Sequence, residues 1–406
     1  MSTVAAQRAD RAGANPARTW AASGLASLTG MSDSPPDFSR AAVLAHAERI
    51  TPDAATLLAG RAGFLGLTRN GQVSAGGATQ LMAALDGWLA ITLSRADDIA
   101  AVPALLGVNE LPDEGPDGAH WPALRRWATA QPVSTIVERA GLLDLPAAAL
   151  GEAKAQPPRV RPLGRRGPAR GPRRLLVADL SSMWAGPLCG QLLAQAGATV
   201  VKVESPRRLD GTRAGSPAFF DWINGGKLSY LLDFDRQADE LRGLLAASDI
   251  VIEGSRPAAL KRRGVGPDDL AGPPGRVWLR IAGHADQPWR PAFGDDAAVA
   301  GGLVGSSVGG QAGAPVFCGD AIADPLTGIE AKAAVTESLS RGGGELIEVA
   351  LAAVAATYAA LPTSTVAADE PAAPPRPPAR GAPAPTLGSD NAQVLRLIAE
   401  RRRPSC

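Results

Sequence analysis

Residues 173–213, RRLLVADLSSMWAGPLCGQLLAQAGATVVKVESPRRLDGTR, constrain this chain most, because they open a β-α-β unit in mid-sequence, directly after a polar, proline-rich stretch. Residues 175–180 are a short apolar run, residues 184–196 carry a helical pattern ended by Gly197, and residues 199–204 are a second, β-branched run. That order predicts an α/β fold built on a parallel sheet. No G-x-G-x-x-G follows the first strand, so a conventional NAD site is not expected.

The chain's 406 residues suffice for two domains with substantial cores. Its 41 Lys plus Arg nearly balance its 40 Asp plus Glu, which removes the basic field that drives binding to nucleic acid or to a membrane surface. Small-molecule chemistry is favoured. Cys189, Cys318 and Cys406 form no C-x-x-C or disulfide framework, no apolar run is long enough to span a bilayer, and the first 19 residues lack the apolar core of a secretory signal. A cytoplasmic enzyme without a metal is the simplest expectation.

Composition divides the chain further. Residues 1–18 read as a disordered N-terminus, 156–174 as a basic Pro/Gly linker and 367–385 as a mobile Pro/Ala linker. Between the first two lies a unit, 19–155, with helical patches at 37–65 and 76–85, a strand at 88–93 after an Asp86-Gly87 turn, and helices at 121–131 and 133–140. The main domain is expected over 175–366, with a late strand at 346–350, and a C-terminal helix over 386–406.

Six segments in order carry a resemblance: DLSSMWAGP, VKVESPRRLDGTR, NGGKLSYLLD, SDIVIEGSRPAALKRRG, DDAAVAGGLVG and CGDAIADPLTG. Together they resemble the family III CoA-transferases, the group that includes formyl-CoA transferase, carnitine CoA-transferase and α-methylacyl-CoA racemase. The resemblance implies a Rossmann-like parallel sheet with a second, smaller α+β domain, and a homodimer whose chains interlock as rings. GGATQLMAALDGWLAITLSRADD resembles the family's small domain, which normally follows the catalytic half and here precedes it. TWAASGLASLTG resembles the same family segment as DDAAVAGGLVGSSVGG, so the order reads as the remnant of a tandem duplication.

The resemblance implies that Asp324, four residues before Gly328, is a nucleophile that moves CoA between an acyl-CoA and a small carboxylic acid through an aspartyl anhydride and an aspartyl-CoA thioester. From the residues alone, Asp324 followed by Pro325 is also a good helix cap. Asp320 and Asp296 are expected to support it from behind, and Asp295 stands where the racemase branch carries a histidine. The glycine-rich stretch 301–313, with Gly309 and Gly310, offers backbone N–H groups for an oxyanion. It also contains G-S-S-V-G at 305–309, but His46, His120 and His284 all precede Ser307, against the hydrolase order. His284 itself reads as an exposed loop residue.

Coenzyme A, the expected co-substrate, needs cations for its phosphates and an apolar channel for its pantetheine. The family's AGP turn points to Ser182, Met183, Trp184 and Ala185, and the expected strand ends to Arg207, Arg208, Arg213, Arg262 and Arg263. Two departures, Gly254 and Ala258, bear on the adenine contacts. An acyl-CoA racemase and a non-catalytic CoA-binding paralogue stay open; Asp295 in place of histidine weighs against the first and retention of Asp324 against the second.

Overall fold

The computed structural model describes residues 15–111, 120–256, 258–307, 313–364 and 370–402. Its strands in chain order are β1 (Thr79–Ala83), β2 (Trp88–Thr92), β3 (Ala147–Ala149), β4 (Arg159–Pro162), β5 (Leu176–Asp179), β6 (Thr199–Glu204), β7 (Leu228–Leu231), β8 (Ile250–Glu253), β9 (Val277–Ala282), β10 (Gly305–Ser306), β11 (Pro315–Val316) and β12 (Glu345–Ala350). The chain divides into two compact units, and each takes three stretches of sequence. The first holds the residues up to Ala155 with Phe293–Ile322 and Ala355–Pro378; the second holds Gln156–Ala292, Ala323–Val354 and Ala379–Cys406. The sequence expectation of a main domain over 175–366 therefore differs, because the described residues 293–307, 313–322 and 355–364 fall in the N-terminal unit.

The second unit is the Rossmann-like one. Its sheet runs β4-β12-β9-β8-β5-β6-β7, parallel throughout except for β4, which pairs antiparallel to β12. β5 and β8 are buried at every position, as a parallel sheet covered on both faces requires. The Ala238–Ala247 and Asn391–Arg402 helices pack together and bring Leu241, Leu244, Val394 and Ile398 into its core. The Ala185–Gln195 and Ala323–Ser340 helices also pack on each other, closely enough that a Cβ at Gly328 would lie 2.8 Å from the Ala185 carbonyl oxygen. Before the C-terminal helix, Asp390 accepts from the Ser229 N–H (2.8 Å), and Asn391 pairs with both the N–H and the carbonyl of Leu231 (3.0 and 2.8 Å). These side chains satisfy the outer edge of β7 in place of another strand.

The first unit carries the antiparallel β1-β2-β3 sheet and the short β10-β11 hairpin. Its helices 102–106, 120–128 and 133–142 bury Leu105, Leu124 and Ile136 against Met82, Leu89 and Ile91 of the sheet. The helical expectation for residues 76–85 is corrected here, since Thr79–Ala83 is β1, paired residue for residue with β2. Its TQLMA has no β-branched run, so local propensity did not reveal a strand that cross-strand pairing imposes.

Two expected linkers are also ordered. Residues 159–162 of the first form β4, and beyond it Gly167 donates to Gly342 and Arg170 to Leu339. Residues 370–378 of the second lie as a strap in which Ala373 donates to Ala21 (2.9 Å) and accepts from Ser27 Oγ (2.7 Å). Proline removes donors along such a segment, and the remaining peptide groups find partners where glycines let the backbone close in. At Gly24, φ +89°, a Cβ would sit 2.6 Å from Pro375 Cα, and at Gly63 it would overlap the Arg376 carbonyl carbon. Gly63→Ala is thus expected to cost about 1–3 kcal/mol by overpacking, read as a lower urea midpoint with unchanged slope. Of the expected disordered N-terminus, Pro16–Arg18 open the Pro16–Ala22 helix, capped by Asn15, which accepts from the Ala17 N–H; residues 1–14 lie outside the described residues.

Candidate functional site

In the second unit, β5 has β6 on one side and β8 on the other, so chain order reverses direction across it. Parallel sheets bind ligands at the carboxyl end of such a switch point. The segment that leaves β5 here is Leu180 to Trp184, containing the expected CoA turn. Met183 adopts φ +73°, a conformation disfavoured for a residue with a side chain. It is exposed, Ser182 is half-buried, and Trp184 and Ala185 are buried, with the Trp184 ring edge-on to Phe219.

Four buried charges hold this turn in place. Asp179, fully buried at the end of β5, accepts from the Ser181 N–H (3.1 Å) and from Lys227 Nζ (3.0 Å). Lys202 on β6 donates to the Ser181 carbonyl and to Asp210, both at 2.6 Å, and Asp210 accepts from the Met183 N–H (3.1 Å). Burial alone would raise the Asp179 carboxyl, but Lys227 and Lys202 outweigh it and hold the group below the ordinary carboxylate range. A charge network whose members are all paired fixes a backbone more rigidly than exposed contacts can. The sequence reading missed this network.

The expected phosphate-binding arginines divide. Arg213 forks onto Glu204 (2.6–3.0 Å) and stacks over Phe220, so it serves the fold. Arg207 and Arg263 both reach Asp235, at 3.3 and 2.8 Å. Arg208 and Arg262 are exposed, and no ion pair among the described residues engages either. Gly309 and Gly310 lie outside the described residues. Ser307 continues the β10-β11 hairpin by donating to Ala314, which is not the strand-to-helix elbow of a hydrolase.

Asp324 lies inside the first turn of the Ala323–Ser340 helix, half-buried, one residue past the helix start instead of at the cap itself. The helix N-terminus turns the positive end of its dipole toward this position. Gly328, one turn on, makes the close crossing with Ala185.

The other carboxylates gather in the first unit. Asp320, fully buried, meets Arg61 at 2.5 Å, while its Oδ2 has no hydrogen-bond partner. Asp295, half-buried, accepts from the Ala321 N–H (2.9 Å), and fully buried Asp296 accepts from Thr92 Oγ1 (2.8 Å) and the Phe293 N–H (2.9 Å). Burial and the neighbouring Asp320 push Asp295 up to about 6; burial pushes Asp296 up to about 7 and raises Asp320 as well, against the pull of Arg61. Ala321, at φ +43°, is held in the left-handed region within this segment. His284, expected on an exposed loop, is buried, because the chain folds back after β9 and covers it. Cys189 and Cys318 are buried free thiols.

Comparison with known proteins adds independent findings. A sequence model described as CoA-transferase family III matches residues 174–388, more than half of the chain. The chain is 32% identical over 197 residues to succinate–glutarate CoA-transferase of Agrobacterium fabrum, which covers 43% of this chain and 49% of that protein. It is 32% identical over 191 residues to formyl-CoA:oxalate CoA-transferase of Streptomyces avermitilis, covering 43% of this chain and 46% of that one. A crystal structure of a CAIB/BAIF family protein from Brucella suis aligns with TM-score 0.42 and 27% identity over 48% of this chain and 56% of that one. The chain spans about half the length of the curated relatives it matches.

Proposed function

Because the chain belongs to CoA-transferase family III, we propose that it moves coenzyme A between an acyl-CoA donor and a carboxylic acid, with Asp324 as the attacking carboxylate. The observation that carries this reading is the crossing of the Ala323–Ser340 and Ala185–Gln195 helices at Gly328 and Ala185. Asp324 stands one turn, about 6 Å of helix, from a contact whose other side begins with the Ser182–Ala185 turn.

The chemistry needs no oxidant and no water. An Asp324 oxygen adds to the thioester carbonyl, the C–S bond breaks, and a mixed anhydride and CoA thiolate result. The thiolate attacks the aspartyl carbonyl of the anhydride, forming an aspartyl-CoA thioester and releasing the donor acid as its carboxylate. An acceptor carboxylate then repeats both steps in reverse, and Asp324 is restored. Each step exchanges one anionic leaving group for another, so no separate proton transfer is required. A carboxylate is suited to this because it is already ionised at neutral pH.

Acids of the size of succinate, glutarate or oxalate, which appear in the names of the relatives, are the first candidates to supply. The reading includes a homodimer. Among the described residues no helix is long and apolar enough to cross a membrane. The test is intact mass spectrometry after mixing the protein with succinyl-CoA, glutaryl-CoA or formyl-CoA. A hydroxylamine-sensitive covalent CoA adduct on the chain is expected with at least one of them; its absence with all, together with no transfer, overturns the reading.

For the phosphates, exposed Arg262 is the best-placed cation of the β8 end. Arg262→Ala is expected to weaken CoA by roughly tenfold or more, the equivalent of about 1.5 kcal/mol, while dephospho-CoA changes little. Calorimetric titration of both ligands checks this, and equal losses exclude a contact with the 3'-phosphate.

A further inference from the structure

Met183 is held in a backbone conformation whose cost its own side chain does not offset. Its φ of +73° lies in the left-handed region, which a glycine enters freely and a residue with a Cβ does not. A side chain that filled the core could compensate by burial, but Met183 is 39% exposed. Its sulfur lies over Gly211, where a Cβ would stand 3.2 Å from it.

The conformation is imposed by the chain that follows β6. Asp210 Oδ1 accepts from the Met183 N–H (3.1 Å) and from the N–H and hydroxyl of Thr212 (3.0 and 2.7 Å). Its other oxygen receives Lys202, and the same ammonium reaches the Ser181 carbonyl, both at 2.6 Å, so one ion pair grips the turn on each side of Ser182. Asp210 is itself fixed, since its N–H donates to Glu204 (3.0 Å), which Arg213 clasps. Burial would raise the Asp210 carboxyl, but Lys202 and the Thr212 bonds outweigh it and keep the group ionised at neutral pH. Every one of these restraints is supplied by the second unit.

Strained residues persist where the surrounding structure over-determines them, and such sites concentrate at ligand contacts. We propose that Asp210 is a positioning residue for CoA: it holds Met183 in the left-handed conformation in advance, so that the ligand does not have to order the turn. For the identity of the ligand this rests on the transfer reading. A turn left to methionine's own preference adopts the binding conformation for only a fraction of the time, and the apparent affinity falls by that fraction.

The test separates backbone from side chain by comparing Met183→Ala, which keeps the strain, with Met183→Gly, which removes it. Each is made alone and together with Asp210→Ala and Lys202→Met, a pair of changes that leaves no buried ammonium behind, and all four full-length proteins are titrated calorimetrically with CoA. With Asp210 present, the two replacements are expected to bind CoA within about threefold of each other, because the turn is pinned in both. Without it, the Met183→Ala protein is expected to lose roughly tenfold or more and the Met183→Gly protein about threefold or less. Rescue by glycine marks a positioning role, since a purely structural loss at Asp210 would weaken both alike. Hydrogen exchange on the unmodified protein is a second measurement that needs no folded variant: the peptide carrying the Met183 N–H is expected to be protected without CoA and to change little when CoA is added. Equal losses in the two backgrounds, or a Met183 N–H protected only with CoA, overturn the role of Asp210 while CoA binding stands. An unmodified protein that neither binds CoA nor forms the adduct overturns the transfer reading, and this inference with it.

Discussion

Asp324→Asn is expected to lower CoA transfer by roughly a thousandfold or more, since loss of a covalent nucleophile removes the pathway and not merely a contact. The amide keeps the size and helical position of the carboxylate, so the fold should change little; the interaction of a charge with the helix N-terminus is about 0.3–1 kcal/mol. Three measurements follow from this: steady-state transfer collapses, the hydroxylamine-sensitive adduct disappears, and the unfolding midpoint moves little. Asp320→Asn is the natural control. Asp320 belongs to the buried pair with Arg61, so its loss should reduce stability while the adduct still forms. If folded Asp324→Asn turns over at the wild-type rate with CoA still attached to the chain, the nucleophile is another carboxylate.

The largest expected effect on stability concerns Asp296. Its folded value of about 7 stands above the roughly 3.9 of an unfolded aspartate. The folded state therefore holds a proton that the unfolded state releases between these values. The contribution of this group is fully present below about pH 4, is lost as pH rises through about 7, and is level beyond. At about 1.4 kcal/mol per unit the change reaches roughly 4 kcal/mol. Asp296→Asn keeps an acceptor for Thr92 and for the Phe293 N–H but cannot ionise. Urea unfolding from pH 4 to pH 8 should show wild type losing stability relative to the variant over that window, with the variant at least as stable at pH 8. Parallel curves would show that Asp296 does not titrate there.

Much of the second unit was legible because its parallel strands are buried on both faces and read as short apolar runs. β6 was expected at residues 199–204 and is found there, and the late strand at 346–350 is β12 with one residue added. The first unit was harder to read. β1 has a single β-branched residue, Thr79, and the 370–378 strap is ordered by glycines far away in sequence; in the second unit, β4 is an exposed edge strand whose Arg-Val-Arg-Pro looks like linker composition.

At the candidate site, Asp324 was singled out by a family resemblance carried on its spacing to Gly328, but the surroundings of the carboxylates were not legible. Arg61 meets Asp320 across 259 residues, a pairing that no local pattern announces. One overlooked signal was available. The chain relies on arginine and has only five lysines, yet Lys202 and Lys227 are two of them, and both are buried beneath the expected CoA turn. A compact ammonium reaching two or three acceptors fits that space, where a planar guanidinium would not.

The three-stretch construction of the first unit bears on how the protein is made. Thr92 meets Asp296 across 204 residues, and Thr29 meets Gly319 across 290. Closing such long loops adds little to the equilibrium cost, because that cost grows only with the logarithm of length, but it slows folding. On a ribosome adding about 5–20 residues per second, the segment containing Asp296 and Asp320 emerges roughly ten to thirty seconds after residue 155. For that interval the nascent N-terminal part lacks the pieces that cover Thr79, Thr92 and Arg61. The second unit can complete β5 to β9 in the same period but must wait for β12. The first unit therefore cannot close over Thr79, Thr92 and Arg61 until that segment has been made, however stable the finished protein is.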